Sequence, residues 1–198
     1  YELGADISFF NNLVSINYTY SRQNVKDQIF EVPLASSTGS SSFMTNGGKI
    51  HTNAHELTVN INPIRLKNVD WNIGINWSKI DNYVDELAPG VESIFLGGFT
   101  TPQVRAGIGD KFPVIYGVSY ARDDNGNLIV DEDGVPMAGK DDVIGKVSPD
   151  FILGFNTNLR LWKFNISAVF DWKQGGQIYC GTNGLLDMYG VSKNTENR

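Results

Sequence analysis

Apolar and polar residues alternate with a period of two along much of the chain, the pattern of strands with one apolar face. In residues 1–10 the odd positions are Tyr1, Leu3, Ala5, Ile7 and Phe9, set against Glu2, Gly4, Asp6 and Ser8. Asn11-Asn12 follows, a pair that tolerates positive φ and predicts a tight hairpin. The return strand, about 13–22, sets Val14, Ile16, Tyr18 and Tyr20 against Ser15, Asn17, Thr19 and Ser21. The alternation recurs over 55–62 (Leu57, Val59, Ile61) and 70–80 (Trp71, Ile73, Ile75, Trp77). It recurs again over 150–160 (Phe151, Leu153, Phe155, Leu159) and 164–173 (Phe164, Ile166, Ala168, Phe170, Trp172), broken on the polar side by Ile152 and Val169. The pattern thus predicts six strands in three hairpins, 1–22, 55–80 and 150–173, and no segment carries a helical period.

The connections alternate in length. Short ones fall at 11–12, about 63–69 and 161–163, and large loops at about 23–54, 81–149 and 174–198. Short turns at one end and long loops at the other are what an up-and-down outer-membrane barrel shows. A compact soluble domain seldom carries so long a connection, since the median is about 4–6 residues. Within the largest loop, Val118–Arg122 and Asn127–Val130 flank Asp123-Asp124-Asn125-Gly126 as a small hairpin, and Glu132-Asp133-Gly134 marks another turn.

Composition narrows the choice. The 198 residues include 21 Gly and 20 Asn, both poor helix formers, while 12% aromatic content argues against disorder. A net charge of −6 leaves no basic face for nucleic acid. No apolar run reaches the roughly 18 residues of a membrane helix. Cys180 is the only cysteine, so no internal disulfide forms.

Two features point the apolar faces toward lipid. Aromatics stand near the strand ends (Phe9, Tyr20, Trp71, Trp77, Phe151, Phe164, Trp172), as in the girdles of membrane barrels. The opposite faces carry Asn, Ser and Thr with few charges, whereas the outer face of a soluble barrel would hold more Lys and Glu. Six strands cannot close a barrel, since the smallest have about 8. An open edge in lipid costs several kcal/mol per unpaired backbone group. The expected fold is therefore all-β: antiparallel up-and-down hairpins, part of a large transmembrane β-barrel with long extracellular loops.

Local motifs add a resemblance. They are Asn46-x-Gly48-x-Ile50 before Glu56-Leu57, Trp71-x4-Asn76-x-Ser78-x3-Asn82-x-Val84, and Pro113-x2-Tyr116-Gly117 with Asp124-x-Gly126. Further along come Ser148-Pro149-Asp150-Phe151, Asp171-x-Lys173-x-Gly175-Gly176-x-Ile178-Tyr179 and Gly190-x-Ser192-x2-Thr195-x2-Arg198. In this order they resemble the later barrel region of SusC/RagA-type TonB-dependent outer-membrane transporters, with Ala54 standing where that family often has Gly. The resemblance implies an internal stretch of a plugged barrel of about 22 strands. It implies import of oligosaccharides or peptides across the bacterial outer membrane. The implied partners are outer-membrane lipid, the TonB system acting through a plug outside this stretch, and a SusD-like surface lipoprotein.

Candidate chemistry is sparse. His51 and His55, four apart on a strand, lie about 13 Å from each other and read as polar strand-entry residues. The acidic turns at 123–124, 131–133 and 141–142 miss the full calcium-loop pattern. Glu2, Asp6, Glu56 and Asp171 share the polar faces without an acid/base pairing. Neither catalytic residues, metal ligands nor cofactors are expected. Substrate contacts are expected from amides on the lumen face (Asn60, Asn72, Asn76, Asn156, Asn158, Asn165) and from loop aromatics (Phe95, Phe99, Tyr116, Tyr120). The competing expectation is a soluble β-barrel or sandwich binding a small ligand or glycan, with its apolar faces turned inward. An unplugged porin or adhesin is a further rival.

Overall fold

The computed structural model describes residues 1–34 and 36–196, so the motif position Arg198 lies outside the described residues. A six-stranded antiparallel sheet forms a wall in the order β1-β2-β3-β4-β9-β10. Its strands are β1 (Glu2–Phe9), β2 (Val14–Pro33), β3 (Ser42–Arg65), β4 (Val69–Glu86), β9 (Pro149–Leu161) and β10 (Phe164–Gly175). Between β4 and β9 lies a second sheet, β5 (Ser93–Gly98), β6 (Gln103–Gly107), β7 (Val114–Tyr120) and β8 (Ala138–Lys146), in sequential order.

The wall register carries the alternation intact from strand to strand. Ile7 faces Ile16, which faces Val59, then Ile75, Phe155 and Phe170. One row away run Ala5, Tyr18, Leu57, Trp77, Leu153 and Trp172. Because a strand's side chains alternate strictly, this registry puts every such residue on one face of one sheet. All seven strand-end aromatics named above lie on that face. The other face is polar, as in the row Asp6, Asn17, Thr58, Asn76, Gly154 and Asp171.

The short turns differ in detail from expectation. The first is four residues, Phe10–Leu13, closed by the Leu13 N–H donating to Phe10 O at 3.2 Å. Asn11 and Asn12 adopt φ of 53° and 64°, the left-handed region their short polar side chains tolerate. At the end of β3 the register slips between Ile61 and Ile64, placing Pro63, which has no N–H to donate, in a bulge.

The large loops expected over 23–54 and 81–149 need correction. β2 continues to Pro33 and β3 begins at Ser42, so the first loop shrinks to a short link with one helical turn at 36–38. These upper halves pair with each other past a bulge at Val25/Gln28, where Asp27 takes φ 57°. Residues 81–86 complete β4, and 93–146 hold the second sheet. The expected hairpin does form at Asp123–Gly126, with Ala121 bonded to Ile129, but the ladder partner of β7 is β8. A short helix, α1 (Gly181–Met188), was not expected.

The buried core sits where the second sheet meets the upper wall. Val84 and Leu87 pack with Ile94 and Ala106, flanked by Phe30, Val91 and Phe112. Above the β4–β9 ladder the edge of β4 is closed by another segment: Gly109 N–H donates to Val84 O at 2.8 Å and Phe112 N–H to Asn82 O at 2.9 Å. The apolar wall face contributes nothing to this core. Ile7, Ile166 and Trp172 remain about half exposed, at 48%, 57% and 55%.

Candidate functional site

The six candidate asparagines all lie on the polar wall face and are exposed. Five form one patch across β3, β4 and β9. Asn60 and Asn156 stand on either side of Gly74, Asn72 faces Asn158, and Asn76 lies between Thr58 and Gly154. Thr58 Oγ1 donates to Asn76 Oδ1 at 3.1 Å, and Asn72 Nδ2 donates to Asp70 Oδ1 at 3.0 Å. Asn165 stands apart, near the short turns and opposite Arg160.

Two residues that the alternation marks only as polar-side positions shape this patch. A Cβ on Gly74 would lie 2.5 Å from Asn156 Nδ2, so glycine there lets the Asn156 amide lie across the strand. Gly154, in the next row, borders a trough of about 260 Å³ together with Glu56, Thr58, Asn76, Ser78, Ile152 and Asp171. The signal in the sequence was glycine at polar positions of a strand. Neither the Glu56 nor the Asp171 carboxylate has a hydrogen-bond or ion-pair partner among the described residues. An array of amides, hydroxyls and carboxylates can exchange hydrogen bonds with a polar solute, and nothing in it forms an acid/base or nucleophilic set. No group of three or more His, Cys, Asp or Glu among the described residues is placed to hold a metal ion.

The four loop aromatics do not gather. Tyr116 is committed to packing, with the Arg105 guanidinium 4.8 Å from its ring centroid and its hydroxyl donating to Asp141 O at 3.2 Å. Phe95 borders a small cleft with Glu31, Ser41 and Ser42, and Tyr120 is exposed at the end of β7. Phe99 lines an apolar cleft of about 310 Å³ with Pro102, Val104, Ile115, Val147, Ile178 and Tyr179. Ile178 and Tyr179 follow a Gly-Gly pair outside any alternating segment, so no pattern in the sequence marks them as contact residues.

Known proteins give this geometry a context. No family model matches the chain. Two TonB-dependent receptors of Formosa agariphila are each 27% identical to it, over 202 and 205 aligned residues that take in 89% and 90% of this chain. The RagAB peptide transporter superposes with a TM-score of 0.72 at 19% identity, over 88% of this chain and 20% of that one. The chain is similar over most of its length to TonB-dependent receptors and shares the fold of the matching stretch of RagAB. It spans about a fifth of the length of its Formosa relatives, 20% in each case. The RagAB peptide importer in its closed-closed state superposes almost as well, at 0.71 over 88% of this chain.

In a receptor barrel the two faces of the wall acquire directions. The apolar face is the lipid face and the polar face lines the lumen. The relatives are receptors and transporters rather than enzymes, and they do not favour a soluble barrel with its apolar face turned inward. The described residues agree with that, since β1 and β10 stay separate edges of an open sheet.

Proposed function

We propose that this receptor segment forms wall and extracellular surface of an outer-membrane transporter importing oligosaccharides or peptides. The observation that carries the proposal is the shared register between the bulges, which sorts six strands into one apolar and one amide-rich face. An amide offers both donor and acceptor, so the patch of Asn60, Asn72, Asn76, Asn156 and Asn158, with Asn165 near the turns, suits peptide groups and sugar hydroxyls alike. Among the loop aromatics, Phe95, Phe99 and Tyr120 are the exposed surfaces on which a sugar face or an apolar side chain stacks, with Tyr116 held in the packed sheet. A solved structure of the same fold is a peptide transporter, which supports peptides within the class. The bacterial outer membrane is the location. TonB acts through the plug, and a SusD-like lipoprotein covers the outer mouth; both engage parts of the receptor beyond these residues.

The test uses the full-length receptor in cells lacking the native copy. Fractionation is expected to find it in the outer membrane. Asn72→Ala, Asn76→Ala and Asn156→Ala are expected to lower substrate uptake by about fivefold per lost hydrogen bond. A soluble receptor, or uptake unchanged in the triple variant, would overturn the proposal.

A further inference from the structure

On the three central strands the aliphatic and Trp side chains of the apolar face give way to polar ones, while Leu3 on β1 and Phe151 on β9 flank the change. Tyr18, Leu57 and Trp77 are the last members before it on β2, β3 and β4. The next row toward the long connections is Tyr20, His55 and Lys79, and the one beyond is Arg22, Asn53 and Asp81. Between those rows the opposite face carries Ser21, Ala54 and Ile80, all uncharged. The basic residues at this height therefore belong to the apolar face alone.

The cluster is tied together. Tyr20 Oη donates to Asn53 Oδ1 at 3.3 Å, and its ring lies 4.9 Å from that of His55. His55 Nδ1 is 2.8 Å from Tyr18 Oη, leaving Nε2 as the remaining polar atom of the ring. Asp81 is the carboxylate of these rows, and Lys111 Nζ reaches its Oδ1 at 2.5 Å from the 109–112 segment, while Lys79 Nζ is 3.5 Å from Oδ2. Lys111 thus offsets Asp81, and Arg22 and Lys79 remain as net positive charge. Their strands are two spacings apart, roughly 10 Å, and their rows two residues apart, roughly 7 Å, a separation that two long side chains can close around one anion.

We propose that Arg22 and Lys79, with His55 between them, bind the phosphate of a membrane lipid whose acyl chains lie on Tyr18, Leu57 and Trp77. A phosphate oxygen array accepts charge-assisted bonds from guanidinium and ammonium donors. A lipid fits better than a free anion because the apolar surface begins directly beneath the cations. The row stands where tyrosines and basic residues meet the headgroups of a bilayer. This site rests on the membrane placement argued above.

The full-length receptor, purified in detergent, is titrated with lipid A and with dephosphorylated lipid A, and bound lipid is read by native mass spectrometry. The expected result is preferential retention of the phosphorylated form. R22Q/K79Q should weaken it about 25-fold, at about fivefold per basic side chain. Lys79→Arg should retain binding, and Lys163→Gln, in a turn at the opposite end of the wall, should leave it unchanged. Equal retention by R22Q/K79Q, equal binding of both lipid forms, or displacement by millimolar inorganic phosphate would each overturn the site. A receptor absent from the outer membrane would instead sink the transport reading. Normal uptake with unaltered lipid retention in R22Q/K79Q overturns this inference alone.

Discussion

Single residues decide how the outer loops hold to the wall. The Phe30 ring lies directly over Gly48, so a Cβ there would collide with it. Gly48→Ala is expected to push Phe30 off the Val84–Ile94 cluster and destabilise the outer region by about 1–3 kcal/mol. Limited proteolysis of intact cells expressing the full-length receptor should then show faster cleavage within 88–148. In the turn at Asp123, the carboxyl is held below the usual carboxylate range, first by the Asn127 side-chain N–H and then by its backbone N–H, with that of Asn125 also contributing. The Asn125 and Asn127 backbone N–H groups both donate to Asp123 Oδ1, at 2.9 and 2.8 Å. A lowered folded pKa means that the carboxylate supports the turn fully above the ordinary value of about 4, and that support fades as pH falls through the folded value. Hydrogen exchange should show Asn125 and Asn127 amides protected at pH 6 and less so in strong acid, with Asp123→Ala removing the difference.

Among the elements, β3 shows what the sequence could and could not disclose. Its lower half was legible because one face meets lipid and the other water, which enforces alternation. Its upper half, and that of β2, stand where both faces meet water. Gln23, Asn24, Lys26, Asp27 and Gln28 therefore run without alternation, and the segment reads as loop although it is paired strand. The second sheet hid for another reason: β5 and β6 are 6 and 5 residues long, too short to display a period. Helix α1, Gly-Thr-Asn-Gly-Leu-Leu-Asp-Met, contains five poor helix formers and no side-chain cap. The shared polar face of the candidate amides was legible from their alternate positions, whereas the clefts depend on contacts between distant segments. The β3 bulge makes its own prediction. Asn62 is 7% exposed, and with its amide oriented to satisfy its neighbours the nitrogen donates to Trp71 O at 2.9 Å and Ile64 O at 3.1 Å. Asn62→Ala should cost about 1–3 kcal/mol by leaving buried carbonyls unpaired, read as a lower thermal midpoint of the purified receptor.

For the whole molecule, the direction of the two faces yields the sharpest contrast. Ile75 and Asn76 are neighbours in sequence, in the middle of the apolar and polar faces of β4 respectively. Ile75→Arg places a charge in the lipid core and should cost about 2–4 kcal/mol of barrel stability. Asn76→Arg puts the same charge in a wet lumen, so it should leave stability nearly unchanged while altering which substrates pass. Denaturant unfolding of the full-length receptor in lipid vesicles, paired with uptake assays, measures both; the opposite order would reverse the assignment of the faces.

The second sheet leaves the wall at the end of β4 and returns at the start of β9, and those two strands are bonded neighbours. To the wall, the whole 87–148 excursion is topologically a single turn. It shares its core with Phe30 and Val84 at the upper ends of β2 and β4, above the β4–β9 ladder, and leaves the register of that ladder untouched. Evolution can therefore lengthen, shorten or exchange it as one module, and so retune what the receptor captures, without disturbing a strand that faces lipid.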